Sequence, residues 1–285
     1  MLTIEFEKDK IIIPNKVNFK GKFCGMDSFN KCMDKNWFKS YPYQNFDYNF
    51  NSWGFRGEDY EQYLGKPIIA CIGDSFTVNI GGPITHSWPS LLQKNFEIPC
   101  LNFGIDGCGN DTIRRVYEKV KRLFDVKQTF VVYSFFHRRL ENNKLKSDPH
   151  EHLDNVKHFE NNFIKNIPYQ FIPIYCFNEE ELNYINKNYE QNSLDYFLSW
   201  DPSIKRNSVC EKIYHQLKGD DWPTYEDFVI KGIIHNDIIS EDHKLYLKKH
   251  LINNRDGQHL NLESNQKLAN NLYQQYINLT RGDVK

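Results

Sequence analysis

The stretch Pro67-Ile68-Ile69-Ala70-Cys71-Ile72-Gly73-Asp74-Ser75-Phe76-Thr77 decides the fold. An apolar run closed by glycine and small polar residues reads as a buried parallel strand at the point where it enters its loop. In open α/β sheets that edge is where ligands bind. Ser75 is therefore either a nucleophile delivered by the strand or a polar residue of a turn. Which of the two holds depends on whether the chain supplies it with partners.

Outward from this strand the texture alternates. Further strands are expected at residues 99–104, 129–135 and 169–176. Helices are expected at 88–95, at 111–124 with Ile113, Val116, Val120 and Leu123 on one stripe, and at 150–166. This rhythm predicts right-handed parallel crossovers and a layered α/β sandwich. Residues 179–198 read as another helix, and 199–232, with Trp200 and Trp222, as an insertion or lid. Helices at about 240–251 and 261–279 flank the link Asn253-Asn254-Arg255-Asp256-Gly257-Gln258-His259. Residues 1–66 are rich in aromatic residues and asparagine, with a short strand expected at 10–14. They read as an irregular extension wrapped on one domain spanning 67–285.

Composition narrows the function. The 285 residues are 26% charged with a formal net charge of -1, which provides no long-range field toward nucleic acid or an anionic membrane. A small neutral or mixed substrate fits better. The seven cysteines, Cys24, Cys32, Cys71, Cys100, Cys108, Cys176 and Cys210, include no C-x-x-C pair, which argues against a disulfide framework or zinc knuckle. His150-Glu151-His152 lacks the H-E-x-x-H spacing, so no metal is expected, and no cofactor either. The amino terminus offers no signal-peptide pattern and no apolar run is long enough to span a bilayer, so the expected compartment is the cytoplasm. Oligomeric state is left open.

A serine hydroxyl needs a base, usually a histidine oriented by a carboxylate. The tightest such spacing is Asp256-x-x-His259, just before the last amphipathic helix, although the same pattern alone reads as a helix cap beside an exposed histidine. Negative charge on a tetrahedral intermediate also needs preorganised donors. The second strand runs into Asn102-Phe103-Gly104-Ile105-Asp106-Gly107-Cys108-Gly109-Asn110-Asp111, a glycine-rich turn before a helix. Its glycines serve tight turning in any case, and Asn110 or Asp111 reads equally as a cap.

Gly73-Asp74-Ser75-Phe76-Thr77 after the first strand, Asn102-Phe103-Gly104-Ile105-Asp106-Gly107 after the second, and Asp256-x-x-His259 before the last helix together resemble the SGNH hydrolase superfamily, the GDSL-type esterases and lipases. The likeness spans roughly residues 54–279, including the Gly54-Phe55-Arg56-Gly57 lead-in, and is sharp only at these blocks. The resemblance implies a three-layer α/β/α sandwich with a central parallel sheet, the flavodoxin-like SGNH fold. It implies Ser75 as nucleophile, His259 as general base and acid, and Asp256 as its orienting partner, with the amides of Ser75 and Gly107 as oxyanion donors. The family's third donor is an asparagine after the third strand. Here Phe135-Phe136-His137-Arg138-Arg139 contains none, and His137 stands in that place.

The resulting expectation is a serine ester hydrolase cleaving a small acyl ester, such as an O-acetylated carbohydrate, through an acyl-serine intermediate. Acyl transfer to a sugar hydroxyl is one alternative. The other is a noncatalytic module of the same fold that binds a glycan or a protein.

Overall fold

The strands, in chain order, are β1 (Lys20–Gly21), β2 (Tyr48–Asn49), β3 (Pro67–Gly73), β4 (Cys100–Gly104), β5 (Asp125–Val132), β6 (Arg138–Glu141), β7 (Lys144–Ser147) and β8 (Gln170–Phe171). The α-helices are α1 (Ser75–Val78), α2 (Trp88–Leu92), α3 (Asn110–Leu123) and α4 (Leu262–Thr280). The structure is a computed structural model and describes residues 16–25, 27–28, 45–134, 138–141, 144–147, 158, 170–171, 259–260 and 262–280. The expected strand at 10–14, the helices at 179–198 and 240–251, and the insertion at 199–232 lie outside the described residues, as does the 150–166 helix apart from His158.

The sheet is parallel, in the order β4-β3-β5-β8. Every residue of β3 after Pro67 is buried, as a central strand covered on both faces requires. Its register runs from Ile69↔Cys100 to Gly73↔Gly104 on one side and ends at Gly73↔Val132 on the other, so three strand ends lie level. The chain is thus mixed α/β, as the alternating texture predicts. β5 begins at Asp125, four residues before the expected start, because its first half alternates between exposed and half-buried side chains. An apolar run marks only the buried second half.

The helices follow their patterns closely. α3 buries Ile113, Val116 and Val120, with Leu123 partly covered. Ser87 caps α2 by accepting from the Ser90 amide at 3.3 Å, and Pro89 sits in its first turn, where no amide is needed. The helix then tightens into a 3-10 turn over Gln93–Asn95, which completes the expected 88–95 element. α4 packs on α2 and buries Leu268, Ala269 and Leu272. No helix among the described residues is long and apolar enough to cross a membrane.

The amino-terminal residues join the core. Trp53, Phe55 and Tyr60 lie in the same hydrophobic cluster as β3, β4 and α3, with ring centroids 5.7 Å apart for Trp53–Phe124 and 5.1 Å for Phe55–Phe103. A smaller cluster of Cys24, Phe46, Tyr48, Phe50, Val78 and Ile80 joins this extension to the loop after α1.

Between the clusters lies Arg56, 1% exposed. Its guanidinium donates to the carbonyls of Val78, Asn79 and Gly82 at 3.0, 2.6 and 2.9 Å and stacks over the Tyr48 ring at 4.3 Å. The Gly54-Phe55-Arg56-Gly57 lead-in thus shapes the loop behind α1. A buried charge is tolerated only when its donors are answered, and here four carbonyls, that of Asp47 at 3.5 Å among them, accept from its two terminal nitrogens. Arg56→Met should cost about 3 kcal/mol of unfolding free energy, since hydrogen bonds to charged groups carry about 1.5–3 kcal/mol each and are not additive. Arg56→Lys should recover less than half, because an ammonium lacks the planar fork. Urea denaturation of both variants checks this, and a loss under about 1 kcal/mol for Arg56→Met would refute it.

Candidate functional site

At the carboxyl edge of β3 the chain turns at once into α1. Asp74 is the cap of that helix. Its side chain accepts from the Phe76 amide at 3.0 Å, and its carbonyl accepts from the amides of Thr77 and Val78, both at 3.0 Å. The Ser75 amide is the one amide of this turn that Asp74 does not take. Ser75 itself is 5% exposed.

Three polar contacts fix α1 from outside. Asn102 on β4 donates to the Thr77 carbonyl at 2.7 Å and accepts from the Gly104 amide at 2.9 Å. The Trp88 indole donates to the Thr77 hydroxyl at 3.2 Å. Asn79 ends the helix in the left-handed region, at φ 61°, and its side chain donates to the Pro83 carbonyl at 2.7 Å. Gly104 is glycine because a Cβ there would lie 2.6 Å from the Val78 nitrogen, inside backbone that cannot give.

The Gly107 loop is folded back on the end of β3. The Ile105 amide donates to the Gly73 carbonyl at 3.0 Å, and Cys108 packs buried against the same group. Gly107 has φ 73° and lies exposed, and among the described residues a Cβ there would meet nothing within 4 Å. Burial pushes the Cys108 thiol well above 9, so it is not a thiolate beside Ser75.

His259 is 4% exposed, with its ring centroid 4.8 Å from that of Phe76, the residue after Ser75. Its backbone is held by the next residue, whose carbonyl accepts from the Asn265 side chain at 2.8 Å. Asn265 is fully buried on α4, donates also to Asn79 at 3.1 Å, and accepts from the Trp88 amide at 3.2 Å. The structure thus gathers Ser75, Gly107 and His259 at one end of the sheet. Asp256 and His137 lie outside the described residues.

Asn110 and Asp111 are not the helix cap. That position belongs to Gly109, and Asn110 spends both ends of its amide on Ser134, accepting from its nitrogen at 2.8 Å and donating to its carbonyl at 3.2 Å. The clamp fixes the chain just past β5. There Arg138 donates to the Ser134 hydroxyl at 3.3 Å and stands 3.7 Å from Asp74. Arg56, Asn102 and Arg138 fall in or beside the blocks read from the sequence, but their partners could not be read there, and Asn265 had no sequence signal at all, because each acts on groups distant along the chain. Among the described residues no group of three or more His, Cys, Asp or Glu side chains could hold a metal.

The sheet order adds position. The chain steps from β3 out to β4 and then returns across β3 to β5, so the topological switch point lies between the ends of β3 and β5. This is where open α/β sheets bind ligands, and Asp74, Ser75, Ser134 and Arg138 surround it. No protein-family model and no curated protein matches the sequence.

Asp74 is 1% exposed, and burial raises its pKa above the usual 3.8, with the Arg138 and Ser134 groups pulling the other way. Burial dominates because 3.7 Å is too long for a hydrogen bond to Arg138. The folded chain then holds this proton more tightly than the unfolded chain does, so stability is greatest below the unfolded value and falls as pH rises through the folded one. Asp74→Asn keeps a capping oxygen without the charge. From about pH 4 to 7 the unfolding free energy of the wild type should fall relative to that of Asp74→Asn. Urea denaturation across that range reads the difference, and parallel curves would contradict it.

Proposed function

We propose that the protein is a serine ester hydrolase of the SGNH type, acting on short acyl esters, with O-acetylated carbohydrate as the substrate class. The observation that carries this reading is that Ser75, the Gly107 loop and His259 all pack around the carboxyl end of β3 and the start of α1, from positions far apart in sequence. Fold class supports it as well. With right-handed crossovers, the order β4-β3-β5-β8 puts α2 and α3 on opposite faces, as a three-layer flavodoxin-like sandwich requires.

In this mechanism the Ser75 Oγ attacks the ester carbonyl carbon while His259 takes its proton. The amides of Ser75 and Gly107 stabilise the oxyanion, with His137 as third donor. Collapse expels the alcohol, which receives the proton from His259. Water, deprotonated by His259, then attacks the acyl-serine, and the acid leaves as Ser75 regains a proton. Asp256 holds the imidazole tautomer. The lack of asparagine in residues 130–139 favours a second reading, a noncatalytic binding module of the same fold. Loss of one oxyanion donor costs about 10²–10³ in rate, which slows an enzyme without abolishing it.

A fluorophosphonate probe should label Ser75 in the wild type, as read by peptide mass analysis. Labelling should disappear in Ser75→Ala and slow by about 10³-fold or more in His259→Ala. Hydrolysis of p-nitrophenyl acetate should fall in parallel. If folded wild type is neither labelled nor active, the binding-module reading takes its place. An acylated sugar formed when an acceptor is present would point instead to acyl transfer.

A further inference from the structure

We propose that residues 16–25 form a strap that holds the Gly107 loop in one conformation, with Lys16 and Asp106 as its positioning pair. The inference rests on the hydrolase reading for its catalytic consequence, though the strap's grip on the loop can be tested without it. Gly107 is exposed at φ 73°, and apart from its chain neighbours no atom of the described residues lies within 4 Å of where its Cβ would be. A glycine in that setting has wide conformational freedom. Donors to an oxyanion are effective only if held in place beforehand. Something must restrain this loop from its outer side, and the residue before Gly107 supplies the handle.

The Asp106 carboxylate meets the Lys16 ammonium at 2.5 Å, with the two side chains only 15% and 18% exposed. Lys16 also lies over the Phe50 ring at 5.4 Å, and burial raises the neighbouring Cys24 thiol despite the Lys16 charge beside it. A second contact backs the first. Gly25, at φ 62°, lays its backbone directly on Asp106, where a Cβ would run into the carboxylate and come within 3.2 Å of its carbon.

The strap is itself anchored. Cys24 and Asp27 exchange backbone hydrogen bonds at 2.8 and 3.1 Å, Tyr48 donates to the Asp27 carboxylate at 2.6 Å, and the Gly81 amide donates to the Tyr48 hydroxyl at 2.7 Å. The segment therefore bears directly on the 105–108 loop through Lys16 and Gly25, and is tied to the 78–82 loop through Asp27 and Tyr48. An exposed ion pair is too weak and too well solvated to position a loop. This one is shielded, spans 90 residues of sequence, and ends one residue from the candidate donor.

The test uses Lys16→Met, Asp106→Asn and Lys16→Arg in the full chain. Three quantities are read: kcat and KM for p-nitrophenyl acetate, the rate of fluorophosphonate labelling at Ser75, and amide hydrogen exchange across residues 105–109. Lys16→Met and Asp106→Asn should each lower kcat by about ten- to a hundredfold with KM changed less than about twofold, and labelling should slow by the same factor. Exchange across 105–109 should accelerate, and Lys16→Arg should restore most of both. A lowered melting temperature with kcat and exchange unchanged would overturn the proposal. If the wild type neither labels nor turns over, the hydrolase reading fails while exchange still decides the strap. Acceleration in Lys16→Met or Asp106→Asn then supports it, and unchanged exchange in both overturns it.

Discussion

Between α1 and the end of β4 there is room for backbone and nothing else. A side chain at residue 104 would press on the Val78 nitrogen and the Thr77 carbonyl carbon, so glycine is required there. With that space closed, α1 is set directly on the sheet. Asn102 reaches past the contact to the Thr77 carbonyl, and Trp88 and Asn265 lock the outer side. The place of Ser75 follows from this contact. Close backbone packing of a helix on a strand tolerates little displacement, which is what a preorganised reacting group requires.

Two buried charges near this contact are treated differently. Arg56 is answered by four carbonyls and an aromatic face, and its cost is offset where it stands. Asp74 is answered on one oxygen by the Phe76 amide, while Arg138 stops short of the other. A charge whose two terminal nitrogens are answered by carbonyls, away from the sheet edge, is there for shape. A half-paired one at the switch point, with its pKa raised by burial, is the pattern found where proteins do chemistry, although structural networks produce it too.

Much of the architecture is legible in the sequence because burial writes a periodic signal. β3 and β4 read as short apolar runs ended by glycine, and the stripe Ile113, Val116, Val120 gives α3 to within a residue of its bounds. The limits of that signal show at β5, whose solvated first half carries no apolar run. For the site, the strand ends and glycines could be read because turn chemistry is local. Asn110 could not, since as a capping type at a helix start it gave no hint that its partner is Ser134, 24 residues on. Asn265 likewise reads as one more polar residue on a helix, while its partners lie 177 and 186 residues earlier. Buried polar side chains that serve distant backbone leave no periodic trace.

Asn79 gathers the two halves of the chain onto one turn. Its carbonyl accepts from Arg56, which precedes it by 23 residues, and its side chain accepts from Asn265, which follows it by 186. During synthesis the first contact can form early, while the ribosome still holds most of the protein. The second waits for α4 to emerge. Local contacts form quickly and distant ones late, so the turn that carries Ser75 is shaped early and secured last. Until α4 has been made, the nascent chain therefore carries Ser75 on a turn that is shaped but not yet secured.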